Sequence, residues 1–121
     1  MQKIAPEITS KQLIDLLEKR SKKEIDFLLV DVREPAEYAM GYIQGVDVLK
    51  PTSLFRQWAP SFLEETKNKN VIFTCRTGSR SGQIQAIFSH NGHQGAINHI
   101  GGIMSYSGEI TIPKGDLYEH R

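Results

Sequence analysis

Short apolar runs alternate along this chain with segments of helical periodicity, and this alternation limits the fold more than any other feature. The run within residues 24–32 is continuous, which is typical of a strand that is covered on both faces, and residues 70–74 are a second such strand. Strands that alternate with helices favour an α/β domain with a mainly parallel sheet. The predicted strands lie within residues 24–32, 46–49, 70–74 and 96–100, and the predicted helices within residues 10–20, 34–40, 51–66 and 81–91.

Local signals indicate where several helices begin or end. Thr9 and Gln12 have the spacing of a capping box, which predicts a helix directly after Thr9. Pro35 stands where the first turn of a helix tolerates proline. Because proline disfavours a helical residue before it, residues 51–66 are predicted to form two short helices, interrupted before Pro60.

Length and composition exclude several classes of protein. The 121 residues contain no repeat or long linker, so residues 1–121 are expected to form one domain. A net charge of +1 gives no reason to expect a nucleic acid or a membrane as partner. Cys75 is the single cysteine, which excludes an internal disulfide. With no apolar leader in view, we expect a cytoplasmic protein that is a monomer or a homodimer.

The segment VIFTCRTGSRSG (residues 71–82) places Cys75 between a buried strand and a helix. Ligands of open α/β sheets bind at this edge. A short loop with Gly78 can turn several N–H groups inward, and the helix dipole, Arg76 and Arg80 add positive charge. These effects favour thiolate, so we expect a lowered pKa and a nucleophilic Cys75. A small buried apolar side chain is the alternative.

Other polar residues support weaker hypotheses. The spacing of His90, His93 and His99 matches no zinc pattern, so surface or half-buried histidines are expected and no metal site is predicted. Ser79 and Ser81 have no base nearby in sequence. They are expected to hydrogen-bond loop amides or to cap the helix.

A charged cluster follows the first predicted buried strand. Asp31, Arg33, Glu34 and Glu37 are too close in sequence to define a cleft with two catalytic carboxylates. An ion-pair network at the corner between strand and helix is the preferred interpretation. The nearby aromatic residues have the spacing of a core or satellite cluster, namely Phe55, Trp58 and Phe62.

Three motifs together resemble the rhodanese family of sulfurtransferases. They are LVDVREPAEY (residues 29–38), GYIQG (residues 41–45) and the Cys75 loop, and residues 91–103 add a weaker match. The resemblance covers about residues 4–112 and leaves residues 113–121 as a tail. It implies a three-layer domain whose central, mainly parallel sheet of five strands is flanked by helices.

Two positions depart from the family pattern, and the length of the loop is informative. Tyr42 stands where the family usually has histidine, and Tyr106 where tryptophan is common, so we expect altered packing there. Four residues separate Cys75 from Arg80. Related phosphatases have five, since phosphate needs a wider cradle than one sulfur atom. The resemblance therefore implies sulfur transfer.

The family resemblance also implies a mechanism. The Cys75 thiolate would take a sulfane sulfur from a small anionic donor such as thiosulfate and pass it to cyanide, a thiol or a protein acceptor, with no cofactor besides the persulfide. The amides of residues 76–80 would hold the persulfide charge. A persulfide carrier or protein-interaction module with little thiosulfate activity is the alternative.

Individual roles follow for the residues of the loop, which are Arg76, Thr77, Gly78, Ser79 and Arg80. Arg76 is expected to attract the donor at the mouth of the pocket. Arg80 is expected to brace the loop against an inner carboxylate, for which Asp31 is the candidate, with Arg33 in support.

Overall fold

In the computed structural model, which describes residues 2–113, five parallel strands form a central sheet with helices on both faces. The elements in chain order are β1 (Glu7–Ile8), α1 (Ser10–Ser21), β2 (Leu28–Asp31), α2 (Pro35–Ala39), β3 (Tyr42–Ile43), β4 (Val48–Leu49), a 3₁₀ turn (Thr52–Leu54), α3 (Phe55–Thr66), β5 (Val71–Thr74), α4 (Ser79–His90), β6 (Ala96–His99), a second 3₁₀ turn (Ile103–Ser105) and β7 (Ile110–Thr111). The strand order β1-β6-β5-β2-β4 places β5 at the centre. The predicted α/β fold with a five-stranded parallel sheet is confirmed.

Successive side chains of the central strands point to opposite faces and build two apolar cores. Leu29 and Ile72 pack with Leu13 of α1 on one face. On the other face, Phe73 packs with side chains of α3 and α4, among them Phe88, which is fully buried. The sheet is therefore covered on both sides, as the continuous apolar runs predicted.

The register of β2 and β5 brings the carboxyl ends of these two strands together. Asp31, the last residue of β2, lies opposite Thr74, the last residue of β5. The chain then leaves β5 at Cys75 and β2 at Val32, whose N–H donates to the Thr74 carbonyl at 2.9 Å. The sheet thus delivers the cysteine loop and the turn into α2 to the same edge.

Local signals predicted the start of α1 correctly but not the continuity of α3. The Thr9–Gln12 capping box at α1 is confirmed. The prediction of two helices separated before Pro60 is wrong, because α3 continues through this residue. Pro60 is exposed and removes one hydrogen bond from the helix. Burial of Trp58 and Phe62 in the core on either side of it outweighs that loss.

Three short strands were not predicted. β1 pairs with β6 at the edge of the main sheet, and β3 pairs with β7 in a separate antiparallel ribbon. Each of these strands has two residues, too few to show a periodic pattern. Residues 114–121 of the predicted tail lie outside the described residues. No helix within residues 2–113 is long and apolar enough to cross a bilayer.

Candidate active site at the end of the central strand

Cys75 is the first residue after β5, and the chain turns there into α4. Gly78 is the N-cap of α4 and has a left-handed backbone with φ of +93°. A Cβ at this position would come within 2.8 Å of the Gly101 backbone nitrogen. Only glycine meets both requirements, so the tight turn that points the start of α4 at Cys75 depends on Gly78.

Three hydrogen-bond donors from the start of α4 converge on the Cys75 sulfur. The Gly78 N–H lies 3.1 Å from Sγ, the Ser81 N–H 3.4 Å and the Ser81 hydroxyl 3.3 Å. Because the amides belong to the first turn of a helix, the helix dipole adds positive potential at the same point. An apolar cysteine would have no such surroundings, so the alternative of a purely structural thiol is disfavoured.

These donors decide the ionisation of a thiol that is almost fully buried, with 1% of its surface exposed. Burial raises the pKa of Cys75, but hydrogen bonds from the Ser81 side chain and from the amides of Ser81, Gly78 and Thr77 outweigh it. The pKa of Cys75 therefore lies below its ordinary value. The direction agrees with the prediction that the loop favours the thiolate.

The opposite side of the loop is held by the segment that follows β6. The Ile103 N–H donates to the Cys75 carbonyl at 2.9 Å, and the Met104 N–H donates to the Arg76 carbonyl at 3.0 Å. A Cβ on Gly102 would overlap both carbonyl oxygens. The carbonyl groups of Cys75 and Arg76 are thus hydrogen-bonded on the side of the loop that faces away from the donors to Sγ.

The structure corrects the role predicted for Asp31. Arg80 donates to both carboxylate oxygens of Glu37 on α2, each at 2.9 Å, and not to Asp31. The hydrogen bonds from Arg80 lower the pKa of Glu37 to about 2, and Glu37 in turn raises the pKa of Arg80. Arg80 therefore braces α4 against α2. It pairs with a carboxylate, as predicted, but that carboxylate belongs to Glu37 and not to Asp31.

Asp31 is already engaged by Arg33. Arg33 donates to the Asp31 carboxylate through Nη2 at 2.8 Å and through Nε at 3.0 and 3.1 Å. Its Nη2 also donates to the Gly41 carbonyl at 2.8 Å. Both side chains are buried. The pair holds the corner between β2 and α2, which agrees with the predicted ion-pair network.

The remaining residues of the loop face solvent. Arg76, Thr77 and Ser79 are exposed. Within residues 2–113, the Arg76 guanidinium forms no ion pair, in contrast to those of Arg33 and Arg80. Among the described residues, Arg76 is therefore the loop cation without a carboxylate partner, and it directly follows Cys75 in the chain.

The predictions for two histidines and for Ser81 are wrong. His90 is exposed, as predicted, but His93 and His99 are buried, with 2% and 0% of their surface exposed. Burial lowers the pKa of His99 to about 4. Ser81 does not cap α4. Its side chain turns back to Cys75 instead, which makes it part of the site. Residues 2–113 contain no cluster of His, Cys, Asp and Glu side chains that could hold a metal ion.

The two departures from the family pattern are accommodated by aromatic packing. Tyr42 stacks on Tyr38 with ring centroids 4.3 Å apart. Tyr106 meets His99 edge to face, with centroids 6.1 Å apart. Phe55, Trp58 and Phe62 belong to the core between the sheet and the two helices α3 and α4, as predicted.

Sequence analysis missed three residues of the site. Glu37 was assigned to the charged cluster after β2, but its pairing with Arg80 was not predicted. Ser81 follows Cys75 by six residues, a spacing that returns a side chain to the sulfur only if α4 begins at Ser79, two residues earlier than predicted. Asn98 is an amide inside a buried strand, and it accepts from the Ser81 hydroxyl at 2.7 Å. An amide inside a predicted strand is a signal that could have identified it, because a buried amide needs hydrogen-bond partners.

The model of the family described as Rhodanese-like domain matches residues 9–109. The chain belongs to this family. Among solved structures, a rhodanese-like domain protein from Staphylococcus aureus is 27% identical, with a TM-score of 0.69 over 91% of this chain and 100% of that one. A rhodanese-related protein from Thermoplasma volcanium has a TM-score of 0.71 at 21% identity over 90% of this chain and 100% of that one, which shows the fold.

Among curated proteins, the matches are to part of longer chains. The tRNA uridine(34) hydroxylase of Photorhabdus laumondii is 32% identical over 85 residues, which are 68% of this chain and 24% of that protein. The enzyme of the same name from Yersinia enterocolitica has the same identity and coverage. This chain thus spans about a quarter of the length of these relatives.

Replacing Ser81 tests the source of the acidity of Cys75. Ser81→Ala removes the hydroxyl donor, so the pKa of Cys75 should rise by about 1 unit, the equivalent of one hydrogen bond to a charged group. The pH dependence of the alkylation rate of this single cysteine gives the value. Alkylation requires thiolate, so its rate at neutral pH should fall.

Ser79→Ala is the matched control, because Ser79 lies in the same turn with its side chain exposed. It should leave the pKa within about 0.2 units. Equal shifts in the two variants would show that the Ser81 hydroxyl does not stabilise the thiolate.

Proposed function

We propose that this chain is a sulfurtransferase that carries a sulfane sulfur as a persulfide on Cys75. The observation that carries the proposal is the convergence of the Gly78 and Ser81 donors on one buried sulfur at the N-terminus of a helix. Such a cradle stabilises negative charge on sulfur, and a thiolate is the nucleophile that sulfur transfer requires.

The proposed reaction has two steps. The Cys75 thiolate attacks the outer sulfur of thiosulfate, a new S–S bond forms, and the S–S bond of the donor breaks with its electron pair leaving on sulfite. An acceptor such as cyanide then attacks the outer sulfur of the persulfide. The S–S bond to Cys75 breaks and its electron pair returns to the thiolate, while thiocyanate leaves. Charge balances in each step, and no external oxidant or reductant is needed.

The residues of the loop divide these tasks. The inward N–H groups of Thr77, Gly78 and Ser81 stabilise the persulfide anion as an oxyanion hole stabilises oxygen. Arg76 attracts the anionic donor, because its guanidinium is exposed and forms no ion pair within residues 2–113. Arg80 and Glu37 position the start of α4, and Asp31 with Arg33 fixes the adjacent corner. The cysteine itself carries the sulfur, so the proposal includes no cofactor.

The geometry of the loop favours a single sulfur atom over a phosphoryl group as the group that Cys75 attacks. Cys75 has 1% of its surface exposed. Four residues separate it from Arg80, one fewer than in the phosphatases. A single sulfur atom at the end of a donor requires less room above Sγ than a tetrahedral phosphate. These features support sulfur transfer over phosphate hydrolysis.

A persulfide carrier that serves a protein partner is the second candidate. Exposed apolar side chains lie on the segment after β6 that hydrogen-bonds to the cysteine loop. Ile100 is 43% exposed and Met104 is 65% exposed. Met104 is joined to Arg76 by a backbone hydrogen bond. An apolar rim of this kind suits a protein surface, so a protein donor or acceptor is the variant of the proposal that it favours.

The curated relatives are named for an activity on tRNA, and we do not extend that activity to this chain. The match covers 24% of the Photorhabdus laumondii protein. The net charge of +1 gives this chain no general attraction for a polyanion. We therefore propose a small anionic donor and a thiol or protein acceptor, with neither a nucleic acid nor a membrane as partner.

Steady-state kinetics test the sulfurtransferase proposal. Thiocyanate formation from thiosulfate and cyanide should give parallel double-reciprocal plots, because the enzyme shuttles between two covalent forms. Cys75→Ala should abolish turnover. Hydrolysis of a chromogenic phosphate ester that is lost in Cys75→Ala, without thiocyanate formation, would contradict sulfur transfer and support phosphatase activity.

Arg76→Ala tests the role of the exposed cation. Loss of one charge–charge contact at the surface should raise KM for thiosulfate about 3- to 10-fold and leave kcat within about 2-fold, because ground-state binding is lost. Arg56→Ala is the matched control, since Arg56 is also an exposed arginine but lies on α3. An unchanged KM in Arg76→Ala would show that Arg76 does not bind the donor.

A further inference from the structure

Asn98 is a buried amide on β6 that contacts two residues of the cysteine cradle. Its Oδ1 lies 2.7 Å from the Ser81 hydroxyl oxygen, and its Nδ2 lies 3.3 Å from the Gly78 carbonyl oxygen. Asn98 is 7% exposed. Gly82 on α4 leaves room for the amide, since a Cβ there would lie 3.1 Å from Asn98 Nδ2. The amide therefore fills a space between β6 and the start of α4.

The Gly78 carbonyl fixes which way the Asn98 amide points. A carbonyl oxygen only accepts hydrogen bonds, so it selects Nδ2 as its neighbour. The opposite orientation would place two oxygens against each other and lose that hydrogen bond. Oδ1 is therefore directed at Ser81, where it acts as an acceptor.

The Ser81 hydroxyl consequently has two acceptors and one hydrogen. The Cys75 sulfur lies 3.3 Å and Asn98 Oδ1 2.7 Å from the same Ser81 oxygen. When Cys75 is a thiol, its S–H can donate to the Ser81 oxygen while the Ser81 hydrogen remains on Asn98. When Cys75 is a thiolate, the hydrogen is drawn to the sulfur, and two oxygens then lie 2.7 Å apart with no hydrogen between them.

We propose that Asn98 is a positioning residue that competes with the Cys75 sulfur for the single hydrogen of the Ser81 hydroxyl and thereby favours the uncharged states of that sulfur. Two such states exist, the thiol and, if the proposed function holds, the inner sulfur of the persulfide. In the persulfide the negative charge lies on the outer sulfur, so the Ser81 hydrogen can return to Asn98. Asn98 thus opposes the free thiolate and supports the sulfur-loaded form.

The persulfide part of the proposal obeys a simple balance. Thiolate and thiosulfate interconvert with persulfide and sulfite, with equal charge on both sides. An interaction that destabilises the thiolate relative to the persulfide shifts this equilibrium towards persulfide. The same interaction raises the pKa of the thiol, so both measurements must change together.

Several other charged or titratable groups lie on the elements around Cys75, and the substitutions proposed below retain all of them. They are Arg76 in the loop, Arg80 on α4, Glu37 on α2, Asp31 and Arg33 at the end of β2, and His99 on β6. Arg80, Glu37, Asp31 and Arg33 keep their ion-pair partners, and His99 keeps its hydrogen bond with Thr74.

Two substitutions at Asn98 should shift the pKa of Cys75 in opposite directions. Asn98→Leu has a similar shape and no acceptor, so the Ser81 hydrogen is free for the sulfur and the pKa should fall by about 0.5–1 unit. Asn98→Asp is a stronger acceptor with a negative charge, so the pKa should rise by at least about 1 unit. The ultraviolet absorbance of the thiolate, with Cys75→Ser as blank, measures both in the full chain.

The Ser81→Ala background isolates the competition for the hydrogen. There Asn98→Leu should change the pKa of Cys75 by less than about 0.2 units, because no hydroxyl remains to be shared. Loss of the hydrogen bond to the Gly78 carbonyl is common to both backgrounds and is subtracted in this comparison. Asn70→Leu is the matched control, a buried amide just before β5 that bonds to the Gln2 carbonyl at 2.6 Å. It should leave the pKa unchanged.

A purely structural role for Asn98 predicts other results. Shifts of the same sign in the Leu and Asp variants, or a Leu shift that persists without Ser81, would overturn the proposal. A titration as predicted in a protein that never forms a persulfide with thiosulfate would support the role of Asn98 and refute the proposed function separately. Where persulfide forms, Asn98→Leu should lower the ratio of persulfide to thiolate about 3- to 10-fold at fixed thiosulfate and sulfite. An unchanged ratio would overturn that part.

Discussion

The site depends on hydrogen bonds that stabilise a negative charge on a sulfur atom with almost no access to water. Burial alone would keep Cys75 protonated, because an ion loses its hydration in the interior. The Ser81 hydroxyl and the Gly78 and Ser81 amides replace that hydration. These donors belong to the first turn of one helix, so the position of α4 relative to β5 determines whether the thiolate exists.

Much of the surrounding structure fixes that position. Arg80 joins α4 to α2 through Glu37, and Asn98 joins it to β6 through Ser81 and Gly78. The loop carbonyls are occupied from the other side by the segment after Gly102. Each contact removes one way in which the donors could turn away from the sulfur. The low pKa of Cys75 is thus a property of the packing between β5, β6 and α4, and no single positive charge creates it.

The sequence predicted the sheet and the cysteine because both have local signals. Buried apolar runs identified β2 and β5, and a short strand pattern identified β6. A lone cysteine between a buried strand and a glycine-containing turn identified the nucleophile. Family motifs added the layer arrangement. The two-residue strands β3 and β7 could not be predicted, since their pairing joins residues far apart in the chain. Similarly, continuity of α3 through Pro60 is decided by tertiary burial, which overrides the local preference.

The partners of individual side chains were harder to infer than their presence. Arg80 was expected to find a carboxylate, but the choice of Glu37 over Asp31 depends on the prior pairing of Asp31 with Arg33. Ser81 was expected to hydrogen-bond loop amides or to cap α4, because the predicted helix began two residues after its true start. The second error follows from the boundary alone, because a shift of two residues at the start of a helix changes which side chain faces the sulfur.

The intact mass of the protein after a brief incubation with thiosulfate tests the central claim most directly. The wild-type chain should gain the mass of one sulfur atom, cyanide should remove it, and Cys75→Ala should gain nothing. A wild-type mass that does not change, or a gain that persists in Cys75→Ala, would contradict the account of Cys75 as the residue that carries sulfur from thiosulfate.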